Sequence, residues 1–290
     1  MYAITGASGQ LGRLTIEKLL TSVPPSQIVA AVRNPEAVED LVARGVQVRH
    51  ADYDQPETLA PAFAGVTRLL LISSNLTTGR LRHHQAVIDA AKAAGVSLIA
   101  YTSMLHADRP GAKLAVEHRE TELALEASGI AATFLRNGWY TENYLMALQP
   151  ALAAGALYGA AADGKISLAA RADYAEAAAA ALVAANPASI YELAGDTAWT
   201  LSDLAAEVSR QAGKPLAYVN LAEGDYEKAL VSAGLPSELA DLLADADANA
   251  GKGVLFDDDR ALSRLIGRPT TPVAESIGAA LGRAIPSTAN

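Results

Sequence analysis

Met1-Tyr2-Ala3-Ile4-Thr5-Gly6-Ala7-Ser8-Gly9-Gln10-Leu11-Gly12-Arg13 opens the chain, and its reading decides the fold. Residues 2–5 are a short apolar run with β-branched members, the pattern of a buried strand. Glycines at 6, 9 and 12 follow at once, and residues 11–20 then show helical spacing of apolar side chains. The order is strand, tight turn, helix. Gly6 can leave the strand with φ > 0. Gly9 presents backbone without a Cβ to an approaching pyrophosphate, and Gly12 lets the helix pack close to the strand. The amides and positive dipole end of that helix then attract phosphate. Gly6, Ala7, Ser8, Gly9, Gln10, Leu11 and Gly12 are therefore the candidate phosphate cradle. The spacing is G-x-x-G-x-x-G and not G-x-G-x-x-G, so its force comes from its place directly after a strand. An ordinary βα turn is the alternative.

Outward from this stretch the same unit repeats. Strands are expected at 27–32, 46–50, 68–73, 97–102 and 130–135, and helices at 36–43, 57–64, 80–94 and 114–127. Most helices run out at a glycine, such as Gly45, Gly65, Gly95 and Gly129. Alternation of this kind demands parallel strands with helices on both faces, an α/β, Rossmann-type doubly wound parallel sheet. Its ligand crevice lies at the carboxyl ends of the strands. After residue 136 the rhythm breaks. Short strands are expected at 166–170, 190–194 and 216–221, with helices at 172–185, 201–212, 226–233, 238–246 and 274–284. Residues 1–136 thus read as an NAD(P)-binding Rossmann domain. Residues 137–290 read as a smaller C-terminal α/β substrate region, partly interleaved with the last sheet strands.

Composition sets the outer limits. The 290 residues are 51% hydrophobic and 19% charged, a globular and not a disordered balance. A net charge of -9 with no basic block argues against nucleic-acid binding. The absence of cysteine excludes disulfides, thiolate metal sites and a cysteine nucleophile. No secretory leader pattern and no long uncharged apolar run is visible, so a cytoplasmic protein without stable membrane association is expected.

The strand ends supply the cofactor candidates. Arg33 follows the second strand, about 20 residues past the last glycine, where an acidic residue would hold the ribose of NAD. A guanidinium there can instead pair with a 2′-phosphate, so NADP(H) is favoured. A solvated surface arginine is the alternative. Asp52 and Tyr53 can flank adenine, or form a loop Asx-turn. Ser73, Ser74 and Asn75 suit ribose and pyrophosphate. Thr102 and Ser103 lie under the expected nicotinamide. The stretch Asn137-Gly138-Trp139-Tyr140-Thr141-Glu142 could close over the ring, although Trp139 and Tyr140 would equally serve as core or interface aromatics.

GASGQLG, AAVRNP, ADYDQPETL, LLLISSN, AYTSMLHAD and LRNGWYTENYL together resemble the NmrA-like, atypical short-chain dehydrogenase/reductase group, and within it the bacterial quinone oxidoreductases of type 2. The resemblance covers nearly the whole chain. It implies NADPH binding, reduction of a small quinone by direct hydride transfer, and a homodimer. The Tyr-x-x-x-Lys acid pair of the wider superfamily is absent, because Tyr101 is followed four residues later by Leu105. A ketone becomes a strongly basic alkoxide and needs a positioned acid. A quinone becomes a hydroquinone anion, which water can protonate. Asn143 and Tyr144, with Trp139 and Tyr140, are the candidate substrate wall. The rival reading, fed by the same missing pair, is an NADP(H)-sensing NmrA-like regulatory protein without turnover. An isoflavone-reductase-like activity would ask for a lysine such as Lys113.

No metal site is expected. His83 and His84 diverge on one helix. His118 and Glu122 are spaced i,i+4, but read as a solvated helix face. His106 could reach the crevice. Asp173 reads as a helix N-cap.

Overall fold

A computed structural model describes residues 1–76, 79–109 and 111–282. In chain order it contains β1 (Tyr2–Ile4), α1 (Gln10–Leu19), β2 (Ile28–Val32), α2 (Glu39–Ala43), β3 (Gln47–His50), α3 (Leu59–Ala62), β4 (Arg68–Leu71), α4 (Arg80–Ala93), β5 (Leu98–Met104), α5 (Lys113–Ser128) and β6 (Ala131–Asn137). Then come α6 (Thr141–Leu145), α7 (Leu148–Ala154), β7 (Ala156–Gly159), α8 (Arg171–Val183), β8 (Ile190–Leu193), α9 (Leu201–Ala212), β9 (Ala217–Asn220), α10 (Glu223–Ser232), α11 (Ser237–Ala250), α12 (Ala261–Ile266) and α13 (Val273–Ala280).

Seven strands form one sheet in the order β3-β2-β1-β4-β5-β6-β8. Strands β1 to β6 pair in parallel. At β8 the bonds Phe134 N–H to Ser189 O and Gly138 N–H to Leu193 O step forward together, the parallel pattern again. The order reverses between β1 and β4. The chain winds outward from β1 to β3 and then returns to the other side of β1, which opens a crevice at the carboxyl ends of β1 and β4. This is the expected doubly wound α/β sheet.

Burial explains why these short strands hold. All five residues of β2 and all seven of β5 are buried, as strands covered on both faces must be. Ala3, Val29, Leu69, Leu71, Ile99 and Tyr101 alternate along their strands and pack with Phe63, Val87, Ile88, Ala91 and Leu125 in one core cluster. Each fully buried Leu, Ile or Phe contributes about 1.5–3 kcal/mol.

Backbone contacts divide the chain into two units. One gathers Met1–Asp108, Ala115–Asn137 and Tyr174–Tyr191; the other gathers Arg109–Leu114, Gly138–Asp173 and Glu192–Asn290. In the second unit β7 and β9 form a parallel two-stranded sheet. The strand expected at 166–170 is absent. Ile166 makes one isolated bridge to Trp199 and Ala169 one to Tyr140. Strand β7, in contrast, lies in a stretch that carries no strand pattern. The helix expected at 274–284 ends at Ala280, and residues 283 and 284 fall outside the described residues.

Candidate nucleotide-binding site

The turn after β1 is built as a cradle. Gly6 takes φ 56°, in the left-handed region, and its carbonyl accepts the Gly9 N–H at 2.9 Å. Gly9 caps α1 in an extended conformation, without a side-chain cap and with no acidic residue in the first turn. A Cβ on Gly12 would lie 2.5 Å from Gly6 O and 2.7 Å from Ala7 Cα, so α1 rests on the turn as closely as backbone allows. A helix that starts on glycines with nothing anionic of its own at its head fits a phosphate-bearing ligand.

Arg33 stands directly after β2. It is exposed, and its guanidinium makes no hydrogen bond or ion pair among the described residues. Arg13 differs: it donates to both Asp40 oxygens at 2.8 and 3.2 Å and to Ala37 O at 2.6 Å. After β3, Asp52 forms the Asx-turn, accepting the Asp54 N–H at 3.1 Å on Oδ1 while Oδ2 accepts from Gln55. Tyr53 meets the His83 ring edge-on at 5.8 Å, and burial of its hydroxyl pushes the phenol above its ordinary pKa.

Beyond β4 two successive amides are tied down. Ser73 N–H donates to Thr102 Oγ1 at 2.8 Å, and Ser74 N–H donates to His84 Nε2 at 3.0 Å. Asn75 is exposed. Ser103 turns the other way from Thr102, and its hydroxyl donates to Glu122 at 2.6 Å. Asn137, at the end of β6, is buried and pairs in register with Met104. His106 is also buried, with a left-handed backbone at φ 54°.

The α5 face read as solvated is in fact interior, which corrects that expectation. Glu122 accepts Arg136 Nε at 2.9 Å and Nη2 at 2.8 Å, a two-point pair with both side chains out of water. His118 Nε2 faces the Arg80 guanidinium at 3.2 Å, and its Nδ1 lies 2.8 Å from the Tyr101 hydroxyl. Arginine can only donate, so His118 Nε2 accepts and Nδ1 carries the proton. Burial drives the His118 pKa well below its ordinary value. His83 and His84 diverge as expected, to Asp54 and to Ser74. No group of three metal-ligating side chains converges among the described residues.

The remaining candidates belong to the second unit. Gly138 N–H donates to Leu193 O. Trp139 is buried, and Arg171 lies 4.9 Å over the Tyr140 ring. Thr141, also buried, opens α6 with its N–H on Ala169 O. Both Glu142 oxygens accept the Arg171 N–H at 3.0 and 3.1 Å, which places a carboxylate at the start of α8. Asp173 is not that helix's N-cap. It lies inside α8 and holds Arg268 and Thr271 instead. Asn143 N–H returns to Tyr140 O. The Tyr144 hydroxyl donates to buried Asp247 at 2.7 Å. Desolvation raises the pKa of both partners. The Lys113 ammonium is paired with Asp241 at 2.6 Å.

A doubly wound sheet with a glycine cradle at the head of α1 and an open arginine after β2 defines a dinucleotide-binding protein, and the family comparison agrees. The profile described as NAD(P)H-binding matches residues 6–185, and the chain belongs to this NAD(P)H-binding family. Over 278 residues it is 56% identical to quinone oxidoreductase 2 of Escherichia coli (strain K12), covering 96% of this chain and 97% of that protein. The crystal structure of an Escherichia coli NADPH-dependent quinone oxidoreductase complexed with NADPH matches with a TM-score of 0.95 at 56% identity, covering 97% and 100% of the two chains. Triphenylmethane reductase of Citrobacter sp., complexed with NADP(H), matches with a TM-score of 0.92 at 38% identity over 97% and 100%. The chain is thus similar to quinone oxidoreductase 2 over 96% of its residues.

Proposed function

We propose that this chain is an NADPH-dependent quinone oxidoreductase that acts on small quinones. The observation that carries the reading is the open Arg33 beside a glycine cradle, on a chain 56% identical over 96% of its length to quinone oxidoreductase 2. Gly6 to Gly12 hold the diphosphate, Arg33 the 2′-phosphate, and Ser73, Ser74 and Asn75 the ribose side. Thr102 and Asn137 stand at the nicotinamide end. Ser103 contributes through its backbone, since its hydroxyl is bound to Glu122. Bound NADPH supplies the hydride that reduces the quinone.

The protein's own part is binding, orientation and exclusion of water. It offers no Tyr-x-x-x-Lys acid. Tyr101 is buried within β5 and engaged with His118, and Lys113 is engaged with Asp241. That suits a quinone, whose reduced anion takes its proton from water, better than a ketone. It also removes the lysine that an isoflavone-reductase-like activity would use. We assign the substrate wall to the second unit, through Asn143 and the ring of Tyr144, with Trp139, Tyr140, Thr141 and Glu142 shaping the loop. A homodimer in the cytoplasm fits this reading. Among the described residues no helix is long and apolar enough to cross a membrane.

Loss of nicotinamide absorbance on mixing protein, NADPH and a simple benzoquinone tests the proposal. Consumption well above the spontaneous rate is expected. Tight NADPH binding without consumption would replace the enzyme with an NADP(H) sensor.

A further inference from the structure

His84 is buried on α4, and its hydrogen bonds can be oriented without ambiguity. The backbone N–H of Ser74 can only donate, so His84 Nε2, at 3.0 Å, accepts. Nδ1 therefore carries the proton of the neutral ring, and it faces Thr121 Oγ1 at 2.9 Å. The Thr121 hydroxyl donates in turn to Glu117 O at 3.0 Å. A directed chain thus runs from the loop after β4 through His84 to the backbone of α5. Both His84 and Thr121 are fully buried, so water cannot replace either bond cheaply.

The same loop is tied a second time. Ser73 N–H is held by Thr102 Oγ1 on β5, in the direction of the neighbouring strand end. Two consecutive amides are pinned to two different elements, which removes the freedom of the peptide between them. A third tie lies further on, where Arg80 Nη2 donates to Leu76 O at 2.8 Å. The charged and titratable groups around the His84 ring are Arg80, His83, Tyr101 and His118. Burial, aided by Arg80, keeps the ring uncharged, so Nε2 stays available as an acceptor.

We propose that His84 is a positioning residue for the cofactor: through the Ser74 amide it fixes the segment Ser73-Ser74-Asn75 in the conformation that receives the ribose and pyrophosphate. This rests on the reading of that segment as part of the NADPH site. The role differs from that of Arg33, which acts at the adenosine end of the same ligand. Loss of His84 should therefore weaken the whole dinucleotide and spare its adenosine half.

His84→Leu keeps an apolar side chain of similar reach and removes both bonds. His84→Gln can restore them, with Oε1 accepting from Ser74 and Nε2 donating to Thr121. Titration of each folded variant with NADPH and with 2′-AMP separates the outcomes. His84→Leu should weaken NADPH about tenfold while 2′-AMP binds as before, and His84→Gln should recover most of the loss. Thr121→Val, which removes only the far partner of the ring, should give an intermediate loss and covers the case in which His84→Leu does not fold. Equal weakening of NADPH and 2′-AMP would mean a general structural role and overturn the proposal. Unchanged NADPH binding in both His84→Leu and Thr121→Val would overturn it with the cofactor reading intact. Wild-type protein that binds no NADPH would overturn both.

Discussion

Arg13 and Arg33 carry the same charge but differ in what they touch. Arg13 sits on α1 and spends its guanidinium on Asp40 and Ala37. Among the described residues Arg33 has no such partner, and it remains open to an anion. Arg33→Glu should weaken NADPH binding about tenfold to a hundredfold, the loss of a charge-assisted pair plus repulsion, while NADH binding barely changes. Equal losses in parallel titrations would show that Arg33 does not read the 2′-phosphate. Gly12 tests the cradle in the same way. A methyl group there meets backbone at 2.5 and 2.7 Å, and backbone cannot rotate aside. Gly12→Ala should cost roughly 1–3 kcal/mol of stability, read as a lowered melting temperature, and should abolish NADPH binding. Both residues could be singled out as candidates from the sequence because the turn is local: strand, glycines and helix are contiguous, and so is the end of β2.

Helix α5 shows where local pattern fails. Its apolar residues Val116 and Leu123 are exposed, while His118, Thr121 and Glu122 are buried. Between Ala115 and Leu125 the inner face is polar, so no continuous apolar stripe marks it. Arg136 on β6 comes out of the sheet beneath it and requires a carboxylate. A buried pair of this kind is costly to break from one side. Glu122→Gln should destabilise the fold by about 3 kcal/mol or more, measured by the denaturant midpoint, since it removes the carboxylate charge that the buried Arg136 guanidinium meets at two points. A change below about 1 kcal/mol would show that the remaining partners of Arg136, Asp108 among them, compensate. Strand β7 was hidden for a related reason. Only pairing with β9 makes Ala156–Gly159 a strand, and Gly159 is needed because a side chain there would strike Asp247 at 2.7 Å.

At the scale of the molecule, two buried histidines link stability to acid. His84 has its pKa pushed down to about 3 by burial, and His118 lies well below its ordinary value for the same cause. In the unfolded chain both titrate near 6.5. Below that pH the unfolded state binds protons that the fold refuses, so stability falls as pH falls from 6.5 and is fully regained above it. Each histidine adds a slope of about 1.4 kcal/mol per pH unit in that window. Unfolding free energies measured between neutral pH and the onset of carboxylate titration should show this decline, and His84→Gln should reduce the slope by about one proton. A flat profile would mean that the folded protein opens to protonate both rings. The core cluster on which these histidines border is the same one that packs Tyr101, so acid should loosen the sheet together with its polar network.

The sequence by itself determined the doubly wound sheet and the glycine turn at the head of α1, and it singled out Arg33 as a candidate, because each is written in contiguous residues whose spacing carries the physics. It also showed the missing Tyr-x-x-x-Lys pair, an absence that needs no structure. Only the tertiary structure decided which polar residues turn inward. His84 reaches Ser74 and Thr121, Glu122 reaches Arg136, and Tyr144 reaches Asp247, each across 10 or more residues of chain. Glu142 likewise lends its carboxylate to the start of α8, and Asp173 holds Thr271 where local pattern suggested a cap. Such partners are joined by packing and not by spacing, and a buried hydrogen bond leaves no periodic signature in the chain that makes it.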